Sequence, residues 1–448
     1  MQVSVETTGE LERRLTISVP AIEVDAVVEK KLKETAKKVR INGFRPGKVP
    51  VMEVQRRYGQ SVRAEAVSEI IHAHYDAAVA EQALTPAGLP KVEIQQDEAN
   101  APLEFIATVE VFPTIAAVQT AAISIERPVA EVTDVDVAQA IEKLREQKVR
   151  WVAKDAAAEL KDKVVFDFEG RMNGELFEGG SQKNHSLILG SNSMIPGFEE
   201  QIAGMKVGEE RTIQVTFPAD YSAEHLKGQA AEFLIHLQTV EAPQLPELDE
   251  AFFRSYGVSG DDLSVFKAEV RKNLEHELKE GKRLYLKLQV IEGLLQENPL
   301  TVPRALVETE SRRLRDQKLR QMLGQNELPD WAQNFPTDVF VEEAERMVKA
   351  SLLLDGVRTL HSIEPDANRV KERIEHLAAR YQSPEDVVKW YYSDAQEMRN
   401  IEQRVLEDQI VDHVLSVAQV ADKALSYDEV LKGPQSKALQ SADTNPDN

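Results

Sequence analysis

The sequence predicts a multidomain α+β protein with three unlike parts: a small α+β unit, a β-rich unit and an elongated all-α remainder. Three observations predict it. The segments VSVETT and RLTISVP alternate apolar and polar residues at period two, the mark of half-buried strands. Short apolar runs separated by glycines and turn residues fill about 155–242. From Glu250 onward, apolar residues recur at helical spacing instead. At 448 residues the chain is too long for a single core, so several domains are expected.

Residues 1–112 read as the first unit. Thr8-Gly9-Glu10 turns the chain between the two strands. Val24, Val27, Val28, Leu32, Ala36 and Val39 line one face of a helix over Ile22–Val39 and leave its lysines on the other face. A second helix covers Val51–Leu84, and strands at Val92–Gln96 and Leu103–Val111 close the unit. Residues 113–150 form a linker of one strand-like piece and one helix near Val135–Arg150, capped at Thr133/Asp134.

The β-rich unit, 151–243, has strands at VVFDFEG, LILG, RTIQVTF and EFLIHLQTVE. Ala242-Pro243-Gln244-Leu245-Pro246 reads as its exit linker. The helical part, 244–432, begins with Leu263, Phe266, Val270, Leu274 and Leu278, which Leu288, Ile291, Leu294 and Leu295 continue or follow. Pro299 and Pro303 break the pattern. Further helices are expected at Arg304–Leu323, from about Thr337 to Leu360, after Pro365, and over about Pro384–Ala421. The tail 433–448, rich in polar and turn residues, is expected to be disordered.

Composition narrows the function. The chain has no cysteine, which rules out disulfides and thiolate metal sites. Its start lacks a basic region followed by an apolar run, and no window approaches the roughly 18 apolar residues of a membrane span. A cytoplasmic protein without membrane contact is expected. No glycine-rich loop ending in Lys-Ser/Thr occurs, so nucleotide-driven cycling has no support. His72 and His74 stand two apart, on different helix faces, and read as packing or surface residues. Trp390-Tyr391-Tyr392 reads as helix packing.

The net charge of −22 argues against general nucleic-acid binding, yet it hides a basic island. Val27–Arg63 holds eleven Lys and Arg against three Asp and Glu, a local balance of +8. In its middle lies NGFRPGKVP, Asn42–Pro50, which can be neither helix nor strand. An aromatic ring and a guanidinium on such a loop suit a specific polyanionic or acidic partner.

The β-rich unit resembles the FKBP-type peptidyl-prolyl isomerase fold. The likeness runs through VVFDFEGRMNGELFEGG, LILGSNSMIPGFEEQIAGMKVGEE and FPADYSAEHLKGQAAEFLIHLQTVE, in that order. It implies a twisted sheet wrapped around a short helix at Pro196–Gln201, with an apolar pocket between them. The pocket is then lined by Phe168, Phe177, Met194, Ile195, Phe198, Tyr221 and Phe233. Glu178 stands where many relatives carry aspartate, and His185 where they carry phenylalanine, which alters one wall. The Ile195 N–H is the implied donor to the substrate carbonyl. Such chemistry needs no acid–base pair. The barrier to rotation about an X–Pro bond, about 18–20 kcal/mol, comes from amide resonance, and an apolar site favours the twisted state that has lost it.

Gly43-Phe44-Arg45-Pro46-Gly47-Lys48-Val49-Pro50 resembles the ribosome-binding signature of the trigger factor family. The order of loop-bearing domain, isomerase domain and helical remainder resembles that family along the rest of the chain. The resemblance implies an ATP-independent chaperone that needs no cofactor. It implies docking beside the exit tunnel, on a ribosomal protein and nearby rRNA, through Gly43, Phe44, Arg45, Pro46, Gly47 and Lys48, with Lys37, Lys38 and Arg40 adding salt-sensitive attraction. Many relatives carry lysine where Pro46 stands. Nascent and unfolded polypeptides are the implied clients of the helical arms, and a free pool of homodimers is implied. Two competing readings stay open: a free folding isomerase without ribosome docking, and a holdase with a vestigial isomerase domain.

Overall fold

The computed structural model describes residues 2–434, except 42, 43, 45–48, 99, 100, 173, 222, 325, 326, 380 and 382 and the side chain of Glu178. The expected disordered tail lies outside the described residues from 435 on. Contacts divide the chain into two compact units. One comprises 1–129, 283–424 and 433–448; the other comprises 130–282 and 425–432.

In the first unit, β1 (Gln2–Thr7) and β2 (Glu12–Val19) form the expected hairpin. Helices α1 (Ala21–Lys38) and α2 (Val51–Glu81) follow, then β3 (Lys91–Gln96) and β4 (Leu103–Glu110). The four strands make an antiparallel sheet in the order β1-β2-β4-β3. Its buried face, Leu15, Ile17, Val19, Leu103 and Phe105 among others, packs on Val67, Ile70 and Tyr75 of α2. The alternation that predicted β2 is the alternation that buries Leu15, Ile17 and Val19, so local pattern and packing agree. A fifth strand, β5, spans Ser124–Val129.

The second unit opens with α3 (Asp134–Gln147). Thr133 caps it: its hydroxyl accepts from the Asp136 N–H, and the Asp136 carboxylate accepts from the Thr133 N–H. Strands β6 (Arg150–Ala153), β7 (Lys163–Met172) and β8 (Glu175–Ile188) precede the short α4 (Phe198–Ile202), and β9 (Glu210–Thr216) and β10 (Ala230–Gln244) follow it. The strands form one sheet, β6-β10-β7-β8, with β9 also on β10. The expected exit linker is therefore partly strand. Pro243 and Gln244 pair with Trp151 and Arg150 of β6, at an end of β10 that has one neighbour, so the missing proline N–H breaks no ladder. Asp249 then caps α5 (Glu250–Ser255), and α6 runs unbroken over Leu263–Glu297. Its residues from 283 belong to the first unit.

The first unit resumes in α6 and continues through α7 (Arg304–Leu323), α8 (Val341–Leu360), α9 (Ala367–Ala378), α10 (Pro384–Ser393) and α11 (Ala395–Val417). The long helix expected over Pro384–Ala421 is two helices. Asp394 ends α10 and caps α11, accepting from the Gln396 and Glu397 N–H groups, so one short acceptor starts a new helix. The chain then enters β11 (Gln419–Ala424), parallel to β5, where no strand was expected. Its pairing partner lies almost 300 positions earlier, out of reach of any local pattern. The last helix, α12 (Tyr427–Lys432), returns to the second unit and packs with α3, α5 and α6.

Candidate functional site

The β-rich sheet and α4 enclose an aromatic cluster. Phe168 comes from β7, Phe177 from β8, Phe198 from the first position of α4, and Phe233 from β10. The Phe233 ring lies 5.3 Å from Phe198, 5.9 Å from Phe168 and 5.9 Å from Phe177, each pair edge to face. That arrangement suits the ring quadrupoles better than stacking. Phe198 is fully enclosed, while Phe177, Met194, Ile195 and Tyr221 are half-buried around it. The predicted residues thus come together, with Phe198 at the base.

Two glycines make room for Phe177. A Cβ built on Gly170 would lie 2.8 Å from its ring, and one on Gly180 would lie 2.7 Å away. Neither glycine was singled out in the sequence, because the need for it is set by a ring in another part of the hairpin. Phe217 was missed as well. It joins Tyr221, at 4.8 Å between centroids, to Phe177, at 6.1 Å, and closes the aromatic chain. Its place at the end of the RTIQVTF strand was the only signal it gave.

His185 stands against the same cluster. Its ring meets Phe166 at 5.4 Å and Phe168 at 5.7 Å, both edge-on, and its Nδ1 lies 3.2 Å from Gln182 Oε1. A bulge sets this position: Phe166 pairs with His185 and Phe168 with Gln182, which sets two residues of β8, Lys183 and Asn184, against Asp167 alone. One of them, Asn184, has φ 52° and donates its N–H to Asp167 at 2.7 Å. The imidazole therefore fills an aromatic position as a ring while carrying a polar edge. Glu178 lies on β8, and its side chain lies outside the described residues.

The loop before α4 is held by Glu199, another residue the sequence reading passed over. The residue is 4% exposed, and its carboxylate accepts from the N–H groups of Gly190, Asn192, Ser193 and Met194 at 2.6, 3.2, 2.9 and 3.1 Å. Burial pushes the carboxyl up, and the four N–H groups more than offset this, holding it below the ordinary carboxylate value. The Ile195 N–H has no hydrogen-bond partner among the described residues.

A second candidate region lies on the loop between α1 and α2. Ile41 and Val49, at 5% and 6% exposure, insert with Leu32, Ala36, Val54 and Val62 into a small core that pins both ends of the loop. Phe44 is 37% exposed, a large apolar ring at the surface. Gly43, Arg45, Pro46, Gly47 and Lys48 lie outside the described residues. Lys37, Lys38 and Arg40 are exposed. Lys31 instead bridges α1 to α2 through Glu65 and Glu69, at 2.7 and 2.9 Å.

Residues 1–144 match the family described as "Bacterial trigger factor protein (TF)", and residues 262–416 match its C-terminus. Residues 154–238 match "FKBP-type peptidyl-prolyl cis-trans isomerase". A trigger factor of Pseudomonas putida strain W619 is 47% identical over 438 residues, which cover 98% of this chain and 99% of that one. The chain belongs to the trigger factor family. Trigger factors of Pseudomonas syringae pv. syringae and Alcanivorax borkumensis are 46% and 45% identical, each over 96% of this chain and 98% of their own. As a member, the chain is a ribosome-associated chaperone that binds nascent polypeptides, and its FKBP domain is a peptidyl-prolyl isomerase. Among the described residues, no helix is long and apolar enough to cross a membrane.

Proposed function

We propose that Phe168, Phe177, Glu178, Ile195, Phe198, Tyr221 and Phe233 form the prolyl pocket. The observation that carries this is the Ile195 N–H, which has no partner among the described residues, beside a half-buried aromatic cluster. Such a donor is available to a substrate carbonyl, and the apolar walls disfavour the planar, charge-separated amide. Proline-limited refolding of a client tests it. Ile195→Ala and Phe198→Ala should each slow the catalysed phase, while ribosome cosedimentation stays unchanged; an unaltered rate in both refutes the pocket. The polar edge of His185 favours one rival reading, a holdase whose isomerase is idle, and the same assay separates them, because the holdase predicts equal rates with and without the chain.

We propose further that Phe44 and Arg45, with Gly43, Pro46, Gly47 and Lys48, dock the chain on a ribosomal protein at the exit tunnel. Lys37, Lys38 and Arg40 reach adjacent rRNA phosphates. Cosedimentation with ribosomes should fail for Phe44→Ala/Arg45→Ala, and for the wild type it should weaken steeply with salt. A flat salt response removes the rRNA contact from this reading. In the cell the chain is cytoplasmic, its free pool is a homodimer, and the parts bounded at 1–112, 151–243 and 244–432 act as docking, isomerase and client-holding modules.

A further inference from the structure

The loop that leads into α4 is organised around one buried carboxylate. Glu199 Oε2 accepts from the Gly190 and Asn192 N–H groups, and Oε1 from those of Ser193 and Met194. The next amide, that of Ile195, has no partner among the described residues. No lysine or arginine among the described residues forms an ion pair with Glu199. A charge buried without a cation is costly, and here the four backbone N–H groups, joined by the Ser191 hydroxyl at 3.5 Å from Oε1, compensate it. A five-residue helix gains little from such an arrangement, whereas the loop gains a fixed course right up to residue 194.

We infer that Glu199 is a positioning residue for isomerisation: by gathering four loop amides it fixes the Met194–Ile195 peptide plane, so that the Ile195 N–H faces the substrate carbonyl. The inference rests on the prolyl-pocket reading above. Its physical basis is preorganisation, since a donor held in place before the substrate arrives costs no reordering as the amide twists.

The test uses the full chain with Glu199→Gln, which turns an acceptor oxygen into a donor, and Glu199→Asp, which keeps the charge but shortens its reach. The readouts are kcat and KM for an X–Pro tetrapeptide and hydrogen exchange followed by peptide. A displaced donor should lower kcat by about ten- to a hundredfold, with KM changed by less than about threefold. Exchange should accelerate within the 190–195 loop and not in the sheet. A folded variant with wild-type kcat overturns the inference. So does a rise in KM alone, or loss of protection across the sheet in both variants, which would make the role purely structural. Replacing the Met194–Ile195 amide by an ester deletes the N–H while keeping every side chain. If the ester chain keeps full kcat, the pocket reading itself falls. If the ester slows catalysis while both Glu199 variants do not, only this inference falls.

Discussion

The imidazole of His185 meets the ring of Phe168 edge-on, with centroids 5.7 Å apart and planes at 88°. The contact preserves aromatic packing, yet it brings ring nitrogens to a wall that otherwise favours a twisted, less polar amide. Restoring the hydrocarbon ring with His185→Phe should therefore speed isomerisation. A gain of about 1 kcal/mol in the transition state is about fivefold in rate. Peptide isomerisation assays on both chains check this, and a slower variant would mean that the imidazole takes part in binding.

Gly180 lies under Phe177, and a Cβ there would come within 2.7 Å of the ring. Gly180→Ala needs no unusual backbone, so its cost is crowding alone. Overpacking of this kind costs about 1–3 kcal/mol. The variant should lower the melting temperature of the isomerase transition and slow catalysis, while ribosome binding is retained. Differential scanning calorimetry with the refolding assay measures both effects. Equal stability would show that Phe177 moves aside freely.

Gly293 sits within α6, where alanine would ordinarily stabilise a helix by about 1 kcal/mol. A Cβ there, however, would meet Ile123 Cγ2 at 2.3 Å, in a core shared with Val290 and Leu294. Packing outweighs propensity, and Gly293→Ala is expected to destabilise by about 1–3 kcal/mol. Urea unfolding followed by helical circular dichroism decides the sign.

The carboxyl of Glu199 is held below its ordinary value, so the carboxylate stabilises the native state at any pH above the unfolded value of about 4.3. That contribution disappears as pH falls through the lowered native value, because the unfolded chain then takes up the proton first. Stability in this acid window should fall with pH in the wild type and fall less steeply in Glu199→Gln. Denaturant midpoints followed from neutral pH into the acid limb provide the comparison; identical slopes would contradict it.

Much of the fold was legible because its causes are local. Period-two alternation marked β1 and β2, helical spacing marked α1, and Pro303 placed the start of α7, whose bounds match the expectation. The errors arose where the cause is distant. No local pattern in Gln419–Ala424 announces a strand, since β11 exists through its ladder with β5. Asp394 lies inside what was expected as one helix over about Pro384–Ala421, although its carboxylate starts a new one.

The chemistry of the site divides in the same way. Residue types and their order alone determined an aromatic, FKBP-like unit, a cationic loop carrying Phe44 and Arg45, and a helical remainder, because side-chain chemistry and periodicity are properties of the chain. Only the tertiary structure decided that Glu199 gathers four amides, that Phe217 links Tyr221 to Phe177, and that Gly170 and Gly180 must stay small. Those roles depend on distances between atoms that the sequence keeps apart, and such distances come into being only when the sheet closes around its core.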